Sequence, residues 1–127
     1  MAGLREHLNS MLVNNPAILR ACVVSAADGT LVVRTEGQNL YLYDKHEMAL
    51  LLNNFYYPPS MSNGVNLELI LYRMVRLENN VMCGYKNGSG FFAVKNNKVI
   101  VIAVYEGNGF EGNRVHAMVD HLARLLE

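Results

Sequence analysis

Tryptophan is absent from this chain, proline occurs three times and cysteine only twice. So little proline, set against a hydrophobic share of 51%, excludes an intrinsically disordered chain. Cys22 and Cys83 each sit inside an apolar run and read as small buried hydrophobes. Nothing in their spacing suggests a disulfide, and neither a C-x-x-C pair nor a Cys/His metal pattern is present. An excess of charge is also missing: 11 basic residues face 11 acidic ones. A protein that works by neutralising phosphates carries a basic surplus, so nucleic acid is excluded as the main partner. Apolar runs fall far short of a membrane span, and Met1-Ala2-Gly3-Leu4-Arg5-Glu6-His7 lacks the basic-then-apolar layout of a signal peptide. A soluble, cytoplasmic protein is expected, its 127 residues forming a single domain over 1–127 with its own core.

What is present is a succession of short periodic segments. Leu4, Leu8, Met11 and Leu12 fall at i, i+4, i+7 and i+8, the stripe of an amphipathic helix that Asn14-Asn15-Pro16 ends. Ala21 to Ser25 reads as a strand, Asp28-Gly29 as a hairpin turn, Leu31-Val32-Val33 as the return strand and Leu40 to Tyr43 as a third. Asp44 can cap a second helix, with Glu47 as its reciprocal partner and Met48, Leu51, Leu52 and Phe55 as the buried stripe. Tyr56-Tyr57-Pro58-Pro59-Ser60 stops it, and a loop at Asn63-Gly64 follows. Strand patterns then run over Val65 to Arg76, Val81 to Tyr85, Phe91 to Lys95 and Val99 to Tyr105. Their turns at Asn79-Asn80, Asn87-Gly88 and Asn96-Asn97 are short enough to join only antiparallel neighbours. A glycine-rich loop, Gly107 to Gly112, leads to a last helix with the stripe Val115, Met118, Val119, Leu122 and Leu126. The order implies an α+β domain: a central antiparallel sheet with the first and last helices on one face and a further helix on the other.

With these segments in place, the chain resembles the profilin family from end to end. Gly84-Tyr85-Lys86-Asn87-Gly88-Ser89-Gly90 is similar to that family's basic, glycine-containing hairpin. Val99 to Glu106 resembles its long apolar strand ending in Tyr and an acid, and Val119-Asp120-His121-Leu122 the core of its C-terminal helix. Asp28-Gly29-Thr30, Glu47-Met48, Phe55, Gly64 and Tyr72 fit the remaining pattern in order. The resemblance implies a non-enzymatic, monomeric, cytoskeleton-associated protein that binds monomeric actin and regulates nucleation and filament assembly, with no cofactor or metal. The actin-facing residues it implies are Tyr72, Met74 and Arg76 on one strand face, the hairpin pair Tyr85 and Lys86, and Asn113, Arg114 and Ala117 at the start of the last helix. Period-two alternation puts Tyr72, Met74 and Arg76 together and turns Arg73 away unless the strand is bulged.

The pattern breaks in one region. Profilins bind proline-rich segments with aromatic rings clustered between the first and last helices. The corresponding groove here is Leu4, His7, Val32, His121 and Leu125, none of which stacks on proline as Trp or Tyr does. Weak or absent polyproline binding is therefore expected. Leu71, where the family often has Lys, is a second departure, and together they suggest a distant member from an early-branching eukaryotic or an archaeal lineage. Arg73, Arg76, Lys86, Lys95 and Lys98 are the basic residues available to anionic phosphoinositides, and zero net charge makes that attraction weak.

Two other function classes compete. His46-Glu47 and His116 with Asp120-His121 are acid–base groups, but no nucleophile motif or phosphate loop accompanies them, which argues against an enzyme. The roadblock and longin families also wrap helices around an antiparallel sheet as interaction scaffolds that do not bind actin. Helices at both chain ends and the Gly-Ser-Gly hairpin favour the profilin resemblance.

Overall fold

The computed structural model describes residues 3–34, 45–57 and 64–127. Along them run α1 (Leu4–Val13), β1 (Ile18–Ser25), β2 (Leu31–Arg34), α2 (Lys45–Tyr56), β3 (Val65–Leu67), β4 (Ile70–Tyr72), β5 (Met74–Glu78), β6 (Val81–Lys86), β7 (Ser89–Lys95), β8 (Val99–Glu106) and α3 (Gly109–Leu125). Six strands form one antiparallel sheet in the order β2-β1-β8-β7-β6-β5, and β3 pairs with β4 in a separate small sheet. Alternate residues of the central strand β8 feed two cores. Val101, Ala103 and Tyr105 pack with Leu8 and Met11 of α1 and with Val115, Val119 and Leu122 of α3. Ile100, Ile102 and Val104 pack on the other face with Met48, Leu51 and Phe55 of α2 and with Val65, Leu67 and Tyr72 of the small sheet. This is the expected α+β arrangement, with the terminal helices on one face and α2 on the other.

The Asn-rich turns behave as their composition requires. Asn79 and Asn80, and Asn87 with Gly88, all have positive φ, as a two-residue hairpin matched to strand twist demands. At the β7–β8 connection the Asn96 side chain accepts from the backbone N–H groups of Lys98 (2.7 Å) and Val99 (2.8 Å). Its own amide donates to the Ala123 carbonyl at 2.8 Å, tying this turn to α3. In the β1–β2 loop, Asp28 Oδ1 accepts from the Thr30 N–H and hydroxyl, which holds its carboxyl below the ordinary carboxylate range.

Several expectations need correction. Val65 to Arg76 is not one strand. The chain turns back at Glu68-Leu69 (φ 56° and 65°), pairs Leu67 with Ile70, and leaves the small sheet through Arg73. Two consecutive non-glycine residues in the left-handed region cost roughly 1–2 kcal/mol each, so something must hold the turn. Glu47 does: its carboxylate accepts from the N–H groups of Glu68 (2.7 Å) and Leu69 (2.9 Å). The partner expected of Glu47 was the helix cap Asp44. Asp44 itself, the Leu40–Tyr43 strand, and the stop residues Pro58-Pro59-Ser60 lie outside the described residues. The Glu68 side chain, in turn, receives Arg20 Nε and a terminal guanidinium nitrogen, the latter at 2.8 Å. Finally, the glycine-rich segment is helical from Gly109, because Asn108 caps α3 earlier by accepting from Phe110 N at 2.9 Å.

Gly84 is required by a close approach. A Cβ built there would lie 2.5 Å from the Phe91 ring and 3.1 Å from Tyr72 Cβ, whose rings meet edge to face at 4.9 Å. Gly84→Ala is expected to lower unfolding free energy by about 1–3 kcal/mol through overpacking. Gly109→Ala, with nothing within 4 Å of the added carbon, should cause no loss. Urea denaturation of both variants checks this.

A pH dependence follows from Cys22, which has no exposed surface. Burial, reinforced by the Glu68 carboxylate and opposed by Arg34, pushes its thiol from 9.0 up to about 12. Between those values the native state keeps a proton that the unfolded chain has released. Stability is therefore retained below pH 9 and falls as pH rises through that window, by about 1.4 kcal/mol per pH unit for this group. Denaturation followed from pH 8 to 10.5 should show the decline, and Cys22→Ala should flatten it.

Candidate functional site

The sheet extends beyond α3 on its β6–β5 side, and the step between helix and uncovered strands forms a groove. Arg76 of β5, Cys83 and Tyr85 of β6, and Phe92 of β7 line it from the sheet. Asn113, His116, Asp120 and Arg124 line it from α3 at i, i+3, i+7 and i+11, one stripe beside the buried one. Arg73 joins at the end where the chain passes from β4 to β5. The floor is aromatic. Phe92, 9% exposed, stacks between His116 (centroids 5.0 Å, planes 8° apart) and Tyr105 (5.5 Å, 21°). Burial raises the Tyr105 phenol, with the neighbouring Cys83, Tyr85 and Tyr72 adding to the effect. Tyr85 donates its hydroxyl to the Gly107 carbonyl at 3.1 Å, while Gly107 N donates to Gly88 O at 2.8 Å. Those two bonds fix the β6–β7 hairpin against the start of α3. The rim is charged, with Arg73, Arg76 and Arg124 against Glu78 and Asp120. Arg124 and Asp120 form an i,i+4 pair at 3.1 Å, too exposed to contribute much stability.

The expected actin-facing residues divide on this geometry. Arg76, Tyr85 and Asn113 share the groove. Met74 opens β5 opposite Tyr85 in the ladder. Lys86 is exposed at the end of β6, and Arg114 and Ala117 are exposed on α3 outside the groove lining. Tyr72 does not join them. It ends β4, is 2% exposed and belongs to the core beneath α2. The break at Arg73 resets the alternation, so Tyr72 and Arg76 lie on opposite sides of the large sheet and Arg73 enters the groove. Phe92 escaped the sequence reading, while His116 and Asp120 were weighed there only as acid–base groups and Arg124 was not placed at a site. The α3 stripe was visible as a polar row at helical spacing. The role of Phe92 was not, because Phe91 and Phe92 are adjacent in a strand buried on both faces.

The second expected site is more scattered. Leu4 and His7 are partly buried on α1, while His121 and Leu125 are exposed on α3, which touches α1. Val32 is the extra residue of a β-bulge: Val23 pairs with Val33 and Val24 with Leu31. It is 49% exposed and belongs to neither core. The five basic residues do not gather into one patch either. Lys95 Nζ sits 5.0 Å over the Tyr56 ring on the α2 side, away from Arg73 and Arg76.

The Profilin family pattern matches residues 3–127. Profilin-1 and profilin-2 of Caenorhabditis elegans are 32% and 33% identical to the chain over 129 aligned positions, covering 99% of it and 96% of each relative. The chain belongs to the profilin family. Profilins are actin-binding proteins without enzymatic activity, and this chain is an actin-binding, profilin-like protein. Its fold superposes on Acanthamoeba castellanii profilin II with a TM-score of 0.79 at 24% identity, covering 98% of this chain and 100% of that one. Mouse profilin IIa, solved in complex with a double repeat from the FH1 domain of mDia1, gives 0.70 at 15% identity, covering 99% and 100%.

Thiol chemistry offers a probe of this profilin's groove. Cys83 is partly exposed there, its thiol raised by burial and eased back by Arg76. Cys22 is sealed in the opposite core. At pH 8 a maleimide should modify Cys83 slowly and Cys22 only when the chain unfolds; mass spectrometry of the labelled peptides reads the order.

Proposed function

We propose that the groove between α3 and strands β5 and β6 is the surface that meets monomeric actin, and that through it the protein regulates filament nucleation and growth. The observation that carries this is the convergence of Arg73, Arg76, Tyr85, Asn113 and His116 on one concave surface. An aromatic floor with a charged rim is the composition of a protein interface: apolar contact at the centre, polar and basic groups at the edge. Lys86, exposed at the neighbouring hairpin end, extends the basic rim. Tyr72 is not part of this surface and supports it only from the core.

Polyproline binding is weak or absent in this reading. Mouse profilin IIa was solved in complex with a double repeat from the FH1 domain of mDia1. Here the five residues expected to line the groove between the terminal helices include no Trp, Tyr or Phe, and Val32 sits in a bulge. Phosphoinositide binding is weak for the same reason that the basic residues are dispersed and net charge is zero. The protein acts as a cytoplasmic monomer beside the cytoskeleton.

In a pyrene-actin assay the protein should suppress spontaneous nucleation and allow growth from existing filament ends. Arg76→Glu and Lys86→Glu should each weaken actin binding about tenfold or more, with melting temperature nearly unchanged because both side chains are exposed. Unchanged affinity in both variants sinks the assignment of the groove. A proline decamer titrated by NMR should leave Leu4, His7, His121 and Leu125 unshifted at micromolar ligand; saturable shifts overturn the polyproline reading.

A further inference from the structure

Glu47 lies on the α2 side of the sheet, away from the groove, yet it is bonded to the segment that delivers Arg73. We propose that Glu47 and Arg20 are positioning residues for the actin-facing groove, acting through the strained β3–β4 turn on Arg73. This rests on the groove being the surface that meets actin.

The chain of contacts is short. Glu47 is 5% exposed, and both oxygens of its carboxylate are used on consecutive backbone donors, Glu68 N at 2.7 Å and Leu69 N at 2.9 Å. Hydrogen bonds to an ionised acceptor are the strong kind. They hold φ of 56° and 65° at two residues with no intrinsic preference for it. Arg20 of β1 grips the Glu68 side chain through two nitrogens, with closest approach 2.8 Å, so the turn is anchored to α2 and to the large sheet together. From the turn to the groove there are only the three residues of β4. The last, Tyr72, is wedged against Phe91 and Gly84, and the next is Arg73. A turn with both central φ values positive matches the right-handed strand twist; an ordinary turn splays its strands. Released from Glu47, this turn has reason to relax to the ordinary form, rotating β4 and carrying Arg73 out of the groove.

The test separates positioning from general stability. Glu47→Gln keeps the side-chain size but offers only one acceptor oxygen to two donors. It should shift the backbone amide signals of Arg73 and Met74 and weaken binding to pyrene-labelled monomeric actin about fivefold or more. Adding Leu69→Gly should restore both readouts, because glycine adopts φ near 65° unaided and Leu69 is 64% exposed, so little packing is lost. In an Arg73→Ala background, Glu47→Gln should cause no further loss of affinity. Arg20→Gln serves as a second, milder release if Glu47→Gln does not fold. Unshifted Arg73 and Met74 signals, or losses that multiply with Arg73→Ala, overturn the proposal even if the groove binds actin. Actin affinity untouched by Arg73→Ala and also by Arg76→Glu instead condemns the groove assignment, while the amide shifts and their rescue still decide the coupling.

Discussion

Everything in this fold answers to β8, a strand whose residues are buried on both faces. Val101, Ala103 and Tyr105 look one way, and Ile100, Ile102 and Val104 the other. A half-buried antiparallel strand leaves one face to water; this one does not, so cover must be supplied twice. The terminal helices supply it on one side. On the other, among the described residues, α2 shares the task with the small β3–β4 sheet, which adds Val65, Leu67 and Tyr72. The helices need not reach the sheet's edge on the first side, because β5 carries Arg76 and Glu78 and no longer demands burial. The groove is therefore what remains where two-sided burial ends. Its polar rim and aromatic floor are the boundary between a strand that must be covered and one that need not be.

The small sheet explains a tension between local preference and global need. Glu68-Leu69 is an unfavourable sequence for a turn with two positive φ values, whereas Asn87-Gly88 suits one. The second takes its φ values from its own composition, with Gly88 free to adopt 80°. The first exists only because Glu47 accepts both of its N–H groups and Arg20 fixes Glu68. Burying a carboxylate is costly unless its acceptors are used, and here both are. The same two hydrogen bonds offset both the strain in the turn and the desolvation of the acid, so neither cost is tolerable without the other group in place. Two features that look like local errors in the sequence are thus one structural unit.

This unit marks the limit of what the sequence discloses. Helix stripes such as Leu8–Met11 and Val115–Val119–Leu122 are written in their spacing, and the Asn-Gly and Asn-Asn turns in their composition. Those features depend on neighbours a few residues away. Tyr72 in the core and Arg73 in the groove depend on a reversal at Glu68-Leu69 that no local signal announces, since Val65, Leu67, Leu69 and Leu71 alternate as in an unbroken strand. One hint was available. Glu47, Leu51 and Phe55 stand at i, i+4 and i+8, so an acid occupies the core face of α2 and must have a partner elsewhere. Gly109 failed differently: glycine argues against helix by about 1 kcal/mol, and the Asn108 cap, worth about as much, offsets it.

The two expected binding regions also differ in how they tolerate change. A broad protein interface draws on many contacts, and losing Tyr72 from it while gaining Arg73, His116 and Arg124 leaves an aromatic floor and a charged rim intact. Polyproline recognition draws on a few rings held at fixed spacing, because a three-residue helical repeat offers the same flat faces again and again. Histidine and leucine stand at the places where Trp and Tyr rings were expected, and Val32 lies at a bulge. Substitution therefore wears down the two surfaces unequally. In the reading proposed above, a chain at 32% identity to its nematode relatives keeps the surface built from area and charge rather than the one built from aromatic geometry.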